Sequence, residues 1–173
     1  RHLVLKGIGG AGQQKISSAK VLVVGAGGLG SPLVAYLAAA GVGVLGIADP
    51  DSASLSNLQR QILFSDADEG LPKTQGAERF VAGLNPHVKT ITHPIALDAA
   101  NAEEIVAGYD IVLEGTDDFA AKRAIADACE RAKIPLVTGA LGQFDGSLTV
   151  LMPYRDGNPR FADLFPVAPS PED

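Results

Sequence analysis

The stretch KVLVVGAGGLG, residues 20–30, decides the fold of this chain. Its apolar run, residues 21–24, holds three β-branched side chains, which is typical of a strand buried on both faces of a parallel sheet. Gly25, Gly27 and Gly30 follow in the G-x-G-x-x-G spacing. The first glycine of that pattern permits a tight turn, the second lets a phosphate approach the backbone, and the third lets helix and strand pack closely. The stretch therefore predicts a nucleotide site at a helix N-terminus.

Strand and helix patterns alternate along the rest of the chain. Further strands are predicted at residues 44–48, 88–97, 111–113 and 136–138, and helices at residues 31–40, 73–84, 102–107 and 119–132. A last strand at residues 147–152 follows without an intervening helix, which indicates an antiparallel hairpin across Asp145-Gly146. The pattern predicts an α/β fold: a Rossmann-like, open, mainly parallel sheet with helices on both faces and an antiparallel extension near the C-terminus.

The chain divides into one domain and a tail. We expect a nucleotide-binding domain over residues 1–153 and an extended, proline-rich arm over residues 154–173, the start of a truncated or disordered C-terminal part. The sequence opens on Arg1 rather than on a methionine, so we expect it to be part of a longer protein.

Composition narrows the classes of function. The 173 residues include 14 Lys and Arg against 20 Asp and Glu, a net charge of −6, without a dense basic run. This balance disfavours a nucleic-acid partner. No apolar run reaches the length of a bilayer span, so we expect no membrane association. A single cysteine fits a reducing, cytoplasmic location.

Polar residues after the second strand distinguish between kinds of nucleotide. Asp49 ends that strand 19 residues after Gly30, where a carboxylate can accept hydrogen bonds from ribose hydroxyls. To this point an NAD-dependent oxidoreductase and an ATP-using enzyme fit equally well. Polar side chains and two cations then follow, and a triphosphate needs such groups whereas hydride transfer does not. They are Asp51, Ser56, Asn57, Arg60 and Lys73.

Several motifs occur in a familiar order. They are DPD at residues 49–51, LSNLQRQ at residues 55–61, Gly70 with Lys73, Asn85-Pro86, and GTD at residues 115–117. With the glycine turn and the flanking segments, they resemble the MoeB/ThiF/HesA family over nearly the whole chain. Members of that family are bacterial relatives of ubiquitin-activating enzymes, and they adenylate a small sulfur-carrier protein.

The resemblance implies roles for individual residues. Asp49 resembles the residue that binds the ribose of ATP, Asp117 resembles the magnesium-linked aspartate, and Arg1 resembles an arginine that reaches into the partner subunit's site, which implies a homodimer. The implied catalytic residues are Arg60, Lys73, Asp117 and Arg1. The implied nucleotide-binding residues are Gly25, Gly27, Gly28, Asp49, Asp51, Ser56, Asn57, Arg60, Lys73, Asp117 and Asp118.

The implied activity is ATP-dependent adenylation of the C-terminal Gly-Gly carboxylate of a small ubiquitin-like (β-grasp) sulfur carrier, as in molybdopterin or thiamine synthesis, with Mg²⁺. Cations stabilise the charge on phosphate oxygens, and a carboxylate is already ionised at neutral pH, so the reaction needs no general base. Two alternatives stay open. One is an NAD-dependent oxidoreductase, which leaves Asn57, Arg60 and Lys73 unexplained, and the other is a degenerate nucleotide- or carrier-binding scaffold.

The chain departs from the family pattern at a few positions. Family members usually show Asp-Gly-Thr-Asp-Asn where this chain has Glu114 to Asp118, which puts a nucleotide contact of Asp118 in doubt. Many relatives carry Cys-x-x-Cys where this chain has Arg160 and Asp163, so we predict no zinc site. Cys129 lies on an apolar helix face and is predicted to be a core residue rather than a sulfur-accepting nucleophile.

Overall fold

The computed structural model describes residues 2–168 and contains one six-stranded sheet. The strands are β1 Lys20–Val24, β2 Val44–Ala48, β3 Lys89–His93, β4 Ile111–Glu114, β5 Leu136–Leu141 and β6 Gly146–Leu151. Their order is β3-β2-β1-β4-β5-β6, with five parallel strands and β6 antiparallel to β5. The predicted fold class is confirmed, including the antiparallel extension.

Six helices accompany the sheet. They are α1 Gly9–Ser18, α2 Gly30–Ala40, α3 Lys73–Leu84, α4 Ala102–Val106, α5 Phe119–Ala132 and α6 Phe161–Leu164. Among residues 2–168, no helix combines the length and the apolar character that a membrane span requires. The third strand is shorter than the predicted range 88–97, since it ends at His93. Pro94 follows, and proline has no N–H to donate to a strand ladder.

The central strand β1 is buried on both faces, because each face packs against its own layer of helices. Val21 and Val23 belong to a core formed with α2 and α3. Leu22 and Val24 point to the opposite face, into a core formed with α4 and α5. Side chains alternate along a strand, so a continuous apolar run serves both cores at once. This arrangement fixes the end of β1, and with it the glycine turn, at the centre of the molecule.

Residues 161–164 differ from the extended arm predicted for the C-terminal segment. They form the single helical turn α6, whose Phe161 is 5% exposed and belongs to the core beside α5. The rings of Phe119 and Phe161 lie 5.6 Å apart, and those of Phe161 and Phe165 lie 5.0 Å apart. Burial of these aromatic rings outweighs the extended preference of the flanking prolines. Residues 169–173 of the predicted arm lie outside the described residues.

Candidate nucleotide site

A cleft of about 1240 Å³ opens where β1 and β4 end side by side. The chain order reverses at this pair, since β2 and β3 lie on one side of β1 while β5 and β6 lie beyond β4. Ligands of open α/β sheets bind at such a point, outside the carboxyl ends of the strands. The two strand ends are joined by a hydrogen bond of 3.0 Å from the N–H of Gly115 to the carbonyl of Val24.

The glycine turn follows β1 with the geometry that its spacing predicts. Gly25 has a φ of +88°, in the left-handed region that favours glycine. A Cβ on Gly30 would overlap the carbonyl oxygen of Gly25, so only glycine lets α2 begin this close to the turn. A Cβ on Gly27, in contrast, would have the amide nitrogen of Gln61 at 3.8 Å as its nearest neighbour. The backbone at Gly27 therefore stays open to a ligand.

Asp49 lies against the glycine turn directly after β2. Its Oδ2 accepts a hydrogen bond of 2.7 Å from the N–H of Ala26, and its Oδ1 accepts one of 2.9 Å from the N–H of Asp51. Burial raises the pKa of the Asp49 carboxyl, while the two N–H donors and the nearby Lys73 ammonium act in the opposite direction. The result is a fixed carboxylate at the position where this class of fold recognises ribose hydroxyls.

Lys73 brings a buried cation to the same place. It is the first residue of α3, its Nζ donates to Oδ2 of Asp51 at 2.9 Å, and the same nitrogen lies 3.8 Å from Oδ1 of Asp49. Its backbone N–H also donates to the carbonyl of Asp51 at 2.9 Å. The ammonium and the positive end of the helix dipole therefore coincide, which favours an anion at this position.

Other groups at the cleft are also suited to phosphate oxygens. Three helices, α2, α3 and α5, begin at the cleft, and each contributes the positive end of its dipole. Arg60 is exposed, and its methylene groups come within 3.5–3.6 Å of the position that a Cβ on Gly28 would occupy. Its guanidinium is thus carried on a stem that crosses the glycine turn, and it is suited to bidentate contact with phosphate oxygens.

Asp117 and Asp118 follow β4 and have different surroundings. Asp118 caps α5: its Oδ1 accepts from the N–H of Ala120 at 2.8 Å and from the N–H of Ala121 at 3.2 Å. Asn and Asp are equally good N-caps, so the local fold accepts either an acid or an amide at this position. Asp117 is exposed and lines the cleft. Its carboxylate fits Mg²⁺, which binds through one or two carboxylates together with substrate phosphates.

A buried ion pair beside the cleft was not predicted from the sequence. Nζ of Lys122 donates to both carboxylate oxygens of Glu114, at 3.0 and 2.9 Å, and to the carbonyl of Gly139 at 2.7 Å. Thr116 and Thr138 donate to the same carboxylate at 2.6–2.8 Å. This network joins β4, α5 and β5 where they border the cleft. Its only sequence signal is a charged pair eight residues apart.

Most of the predicted nucleotide-binding residues meet in this cleft. Those that line it are Gly25, Gly27, Gly28, Asp49, Asp51, Asn57, Arg60, Lys73, Asp117 and Asp118. Ser56 is exposed and is not among the lining residues; its hydroxyl lies 3.0 Å from that of Ser54. Arg1 lies outside the described residues. Gln61 and Lys122 also line the cleft, and neither is among the predicted site residues.

Comparison with known proteins agrees with this architecture. A model of the ThiF family matches residues 1–173, which is the whole sequence. The chain belongs to the ThiF family. Similar curated proteins include the SAMP-activating enzyme E1 of Haloferax volcanii, 45% identical over 99% of this chain and 62% of that protein. Another is the adenylyltransferase and sulfurtransferase MOCS3 of Aedes aegypti, 43% identical over 99% of this chain and 39% of that protein. The chain thus spans less than two thirds of either relative.

A solved structure shows a related nucleotide-bound protein. The E. coli tRNA N6-threonylcarbamoyladenosine dehydratase TcdA, in complex with AMP, matches with a TM-score of 0.70 and 31% identity. The match covers 73% of this chain and 52% of TcdA.

In this ThiF-family chain, Arg160 and Asp163 both take part in local structure. Arg160 donates to Glu130 at 2.9 Å, and Asp163 accepts from the N–H of Arg160 at 2.8 Å, capping α6. The absence of zinc stays a prediction.

Cys129 is 1% exposed within the core beside α5, and burial raises the pKa of its thiol to about 12. The core position predicted for this cysteine is confirmed.

Proposed function

We propose that this chain binds ATP with Mg²⁺ and adenylates the C-terminal carboxylate of a small ubiquitin-like sulfur carrier. One observation carries the proposal: a single cleft brings Asp117, which follows β4, together with three charged residues of the segment between β2 and β3. Those three residues are Asp49, Arg60 and Lys73. The family membership and the activities named for the relatives support the same reaction.

Each group has a distinct part in this proposal. Asp49 accepts hydrogen bonds from the ribose and so orients the nucleoside. Asn57, Arg60 and Lys73 bind the phosphates, the arginine through its planar fork and the lysine as a point charge. Asp117 would hold the magnesium ion, which would supply charge neutralisation at the phosphate oxygens.

The chemical step is a displacement at the α-phosphorus. A carboxylate oxygen of the carrier's C-terminal residue forms the new P–O bond, and the bond from the α-phosphorus to the bridging oxygen of pyrophosphate breaks, which leaves an acyl-adenylate. No proton is transferred, because the carboxylate is already ionised at neutral pH. Arg60 and Lys73 accelerate the step by stabilising the negative charge that gathers on the phosphate oxygens.

The size of the cleft supports a second substrate beside the nucleotide. Pockets for a single small ligand have volumes of roughly 300–1,000 Å³, whereas this cleft measures about 1240 Å³. The carrier's Gly-Gly tail is narrow and extended, so it suits the remaining space.

We further propose that the protein is a cytoplasmic homodimer in which Arg1 of one subunit completes the site of the other. In this proposal it serves molybdopterin or thiamine synthesis.

Pyrophosphate exchange with a Gly-Gly-tailed carrier tests the proposed reaction. The chain should exchange label between pyrophosphate and ATP only when carrier is present. Arg60→Ala should slow exchange by about 10²–10³, the usual effect of removing one preorganised charge-stabilising donor. Arg123→Ala is the matched control, because Arg123 is exposed on α5 and is not among the residues that line the cleft.

Other results would contradict the proposal. If Arg60→Ala slows the exchange by less than threefold, the role proposed for Arg60 is wrong. Tight binding of NAD with no carrier-dependent exchange would favour the oxidoreductase alternative, and binding of carrier without exchange would favour a scaffold. Asp117→Ala should raise the magnesium concentration needed for exchange, and an unchanged magnesium titration would count against the metal role.

A further inference from the structure

The side chain of Gln61 has a buried polar atom without a partner. The residue is 3% exposed, and its Oε1 is the one buried side-chain nitrogen or oxygen in residues 2–168 that lacks a hydrogen bond. Its backbone is satisfied, since its N–H donates to the carbonyl of Asn57 at 3.0 Å and its carbonyl accepts from the N–H of Phe64 at 3.2 Å. The backbone of Gln61 is therefore fixed by hydrogen bonds, whereas the Oε1 atom of its side chain has no partner.

The position of this amide points to the phosphate end of the cleft. Gln61 lines the cleft, and its Nε2 is the nearest group to the open side of Gly27, 3.8 Å from where a Cβ would lie. Asn57 and Arg60 line the cleft in the same segment. Asp49, the group suited to ribose, instead contacts the backbone at Ala26 and Asp51. The amide thus faces the part of the turn that a phosphate approaches.

We propose that Gln61 is a further nucleotide-binding residue, whose amide N–H donates to a phosphate oxygen of the bound triphosphate. This inference rests on the function proposed above. The Nε2 donor already lies nearest the open side of Gly27, so it can reach a phosphate there without any movement of the backbone.

This role predicts opposite effects on stability and on binding. Removing an unpaired buried polar group does not weaken the ligand-free protein, because no hydrogen bond is lost. Removing a donor to a charged phosphate weakens the complex. A glutamine with a purely structural role would behave differently, since its replacement would lower the stability of the ligand-free chain and leave the affinity for ATP unchanged.

Gln61→Met, which keeps the length of the side chain and removes the amide, tests the proposal. The melting temperature of the ligand-free full chain should stay equal or rise. The dissociation constant for Mg²⁺–ATP, measured by calorimetry, should increase roughly 10- to 100-fold. The dissociation constant for adenosine, which has no phosphate, should differ by less than about threefold between Gln61→Met and the wild type. Gln59→Met is the matched control, because Gln59 is exposed and not among the lining residues, and both measurements should equal those of the wild type.

The outcomes separate this inference from the proposed function. If the wild-type chain fails to bind Mg²⁺–ATP, both are overturned. If the wild type binds and Gln61→Met binds equally well, only the role of Gln61 is overturned. A lower melting temperature with unchanged affinity would show that Gln61 has a purely structural role, which also overturns it. An equal loss for ATP and adenosine would overturn the phosphate contact.

Discussion

The ammonium of Lys122 lies 2.9 Å from one carboxylate oxygen of Glu114 and 3.0 Å from the other, and the two side chains are 9% and 0% exposed. The pair connects the end of β4 to the first turn of α5, and the carbonyl of Gly139 extends it to β5. Three elements that border the cleft therefore share one buried network.

Loss of Lys122 should destabilise the fold strongly. Lys122→Met leaves Glu114 as a buried carboxylate without a counter-ion, which typically lowers the free energy of unfolding by about 3–5 kcal/mol. Urea denaturation followed by circular dichroism measures this change. Adding Glu114→Gln to the variant should restore at least half of the loss, because the amide carries no charge. Its oxygen can still accept from Thr116 and its NH2 can donate to the hydroxyl of Thr138. A double variant less stable than Lys122→Met would contradict this account.

Asp118 should act mainly as a helix cap. Asp118→Ala removes the acceptor for two N–H groups of α5 and should lower the free energy of unfolding by about 1 kcal/mol. Asp118→Asn keeps the cap, so its free energy of unfolding should change by less than about half of the change in Asp118→Ala. The same neutral variant removes a negative charge from the cleft and should tighten Mg²⁺–ATP binding by about two- to threefold. Weaker binding by Asp118→Asn would instead indicate a contact of the carboxylate with the nucleotide.

Two phenylalanines provide a matched test of the docked C-terminal helix. Phe161 is 5% exposed and packs beside Phe119, whereas Phe144, between β5 and β6, is 93% exposed. Phe161→Ala should lower the free energy of unfolding by about 3–5 kcal/mol, the usual effect of emptying an aromatic core site. Phe144→Ala should leave it within about 0.5 kcal/mol of the wild type. Equal stability of the two variants would show that α6 contributes nothing to the core.

Cys129 should be protected from thiol reagents in the folded chain. Burial raises the pKa of its thiol from 9.0 to about 12, so the native protein holds about 10³-fold less thiolate than the unfolded chain near pH 8. Labelling should be slow in buffer and fast in urea. The unfolded thiol releases its proton first, so stability should fall as the pH rises from 9 towards 12. Equal labelling rates in both conditions would contradict the core position.

The third glycine of the turn should not tolerate a side chain. A Cβ on Gly30 would overlap the carbonyl of Gly25, so Gly30→Ala should lower the free energy of unfolding by about 3 kcal/mol or more. Gly83→Ala is the control within a helix, because a Cβ there meets nothing within 4 Å. That variant should gain up to about 1 kcal/mol from the reduced entropy of the unfolded chain. Thermal unfolding of both variants measures the difference.

Local patterns predicted those parts of the fold that depend on neighbours in the chain. The run of residues 21–24 and the glycine spacing predicted a buried strand, a turn and a helix, and β1 and α2 occupy those places. Asp118 shows the limit of such patterns. Its departure from the family sequence placed a nucleotide contact in doubt, but only the backbone around α5 showed that its side chain caps the helix.

By itself, the sequence determined the class of fold, the family and the strand ends that carry the polar residues, because periodicity, glycine spacing and ordered motifs are all local properties. Tertiary structure decided which of those residues meet. It buried Gln61 beside Gly27, paired Lys122 with Glu114, and placed Phe161 in the core beside α5. The physical reason is that such contacts join groups on different strands, helices and loops. Their hydrogen bonds and burial depend on how the sheet and helices pack, which no single stretch of sequence specifies.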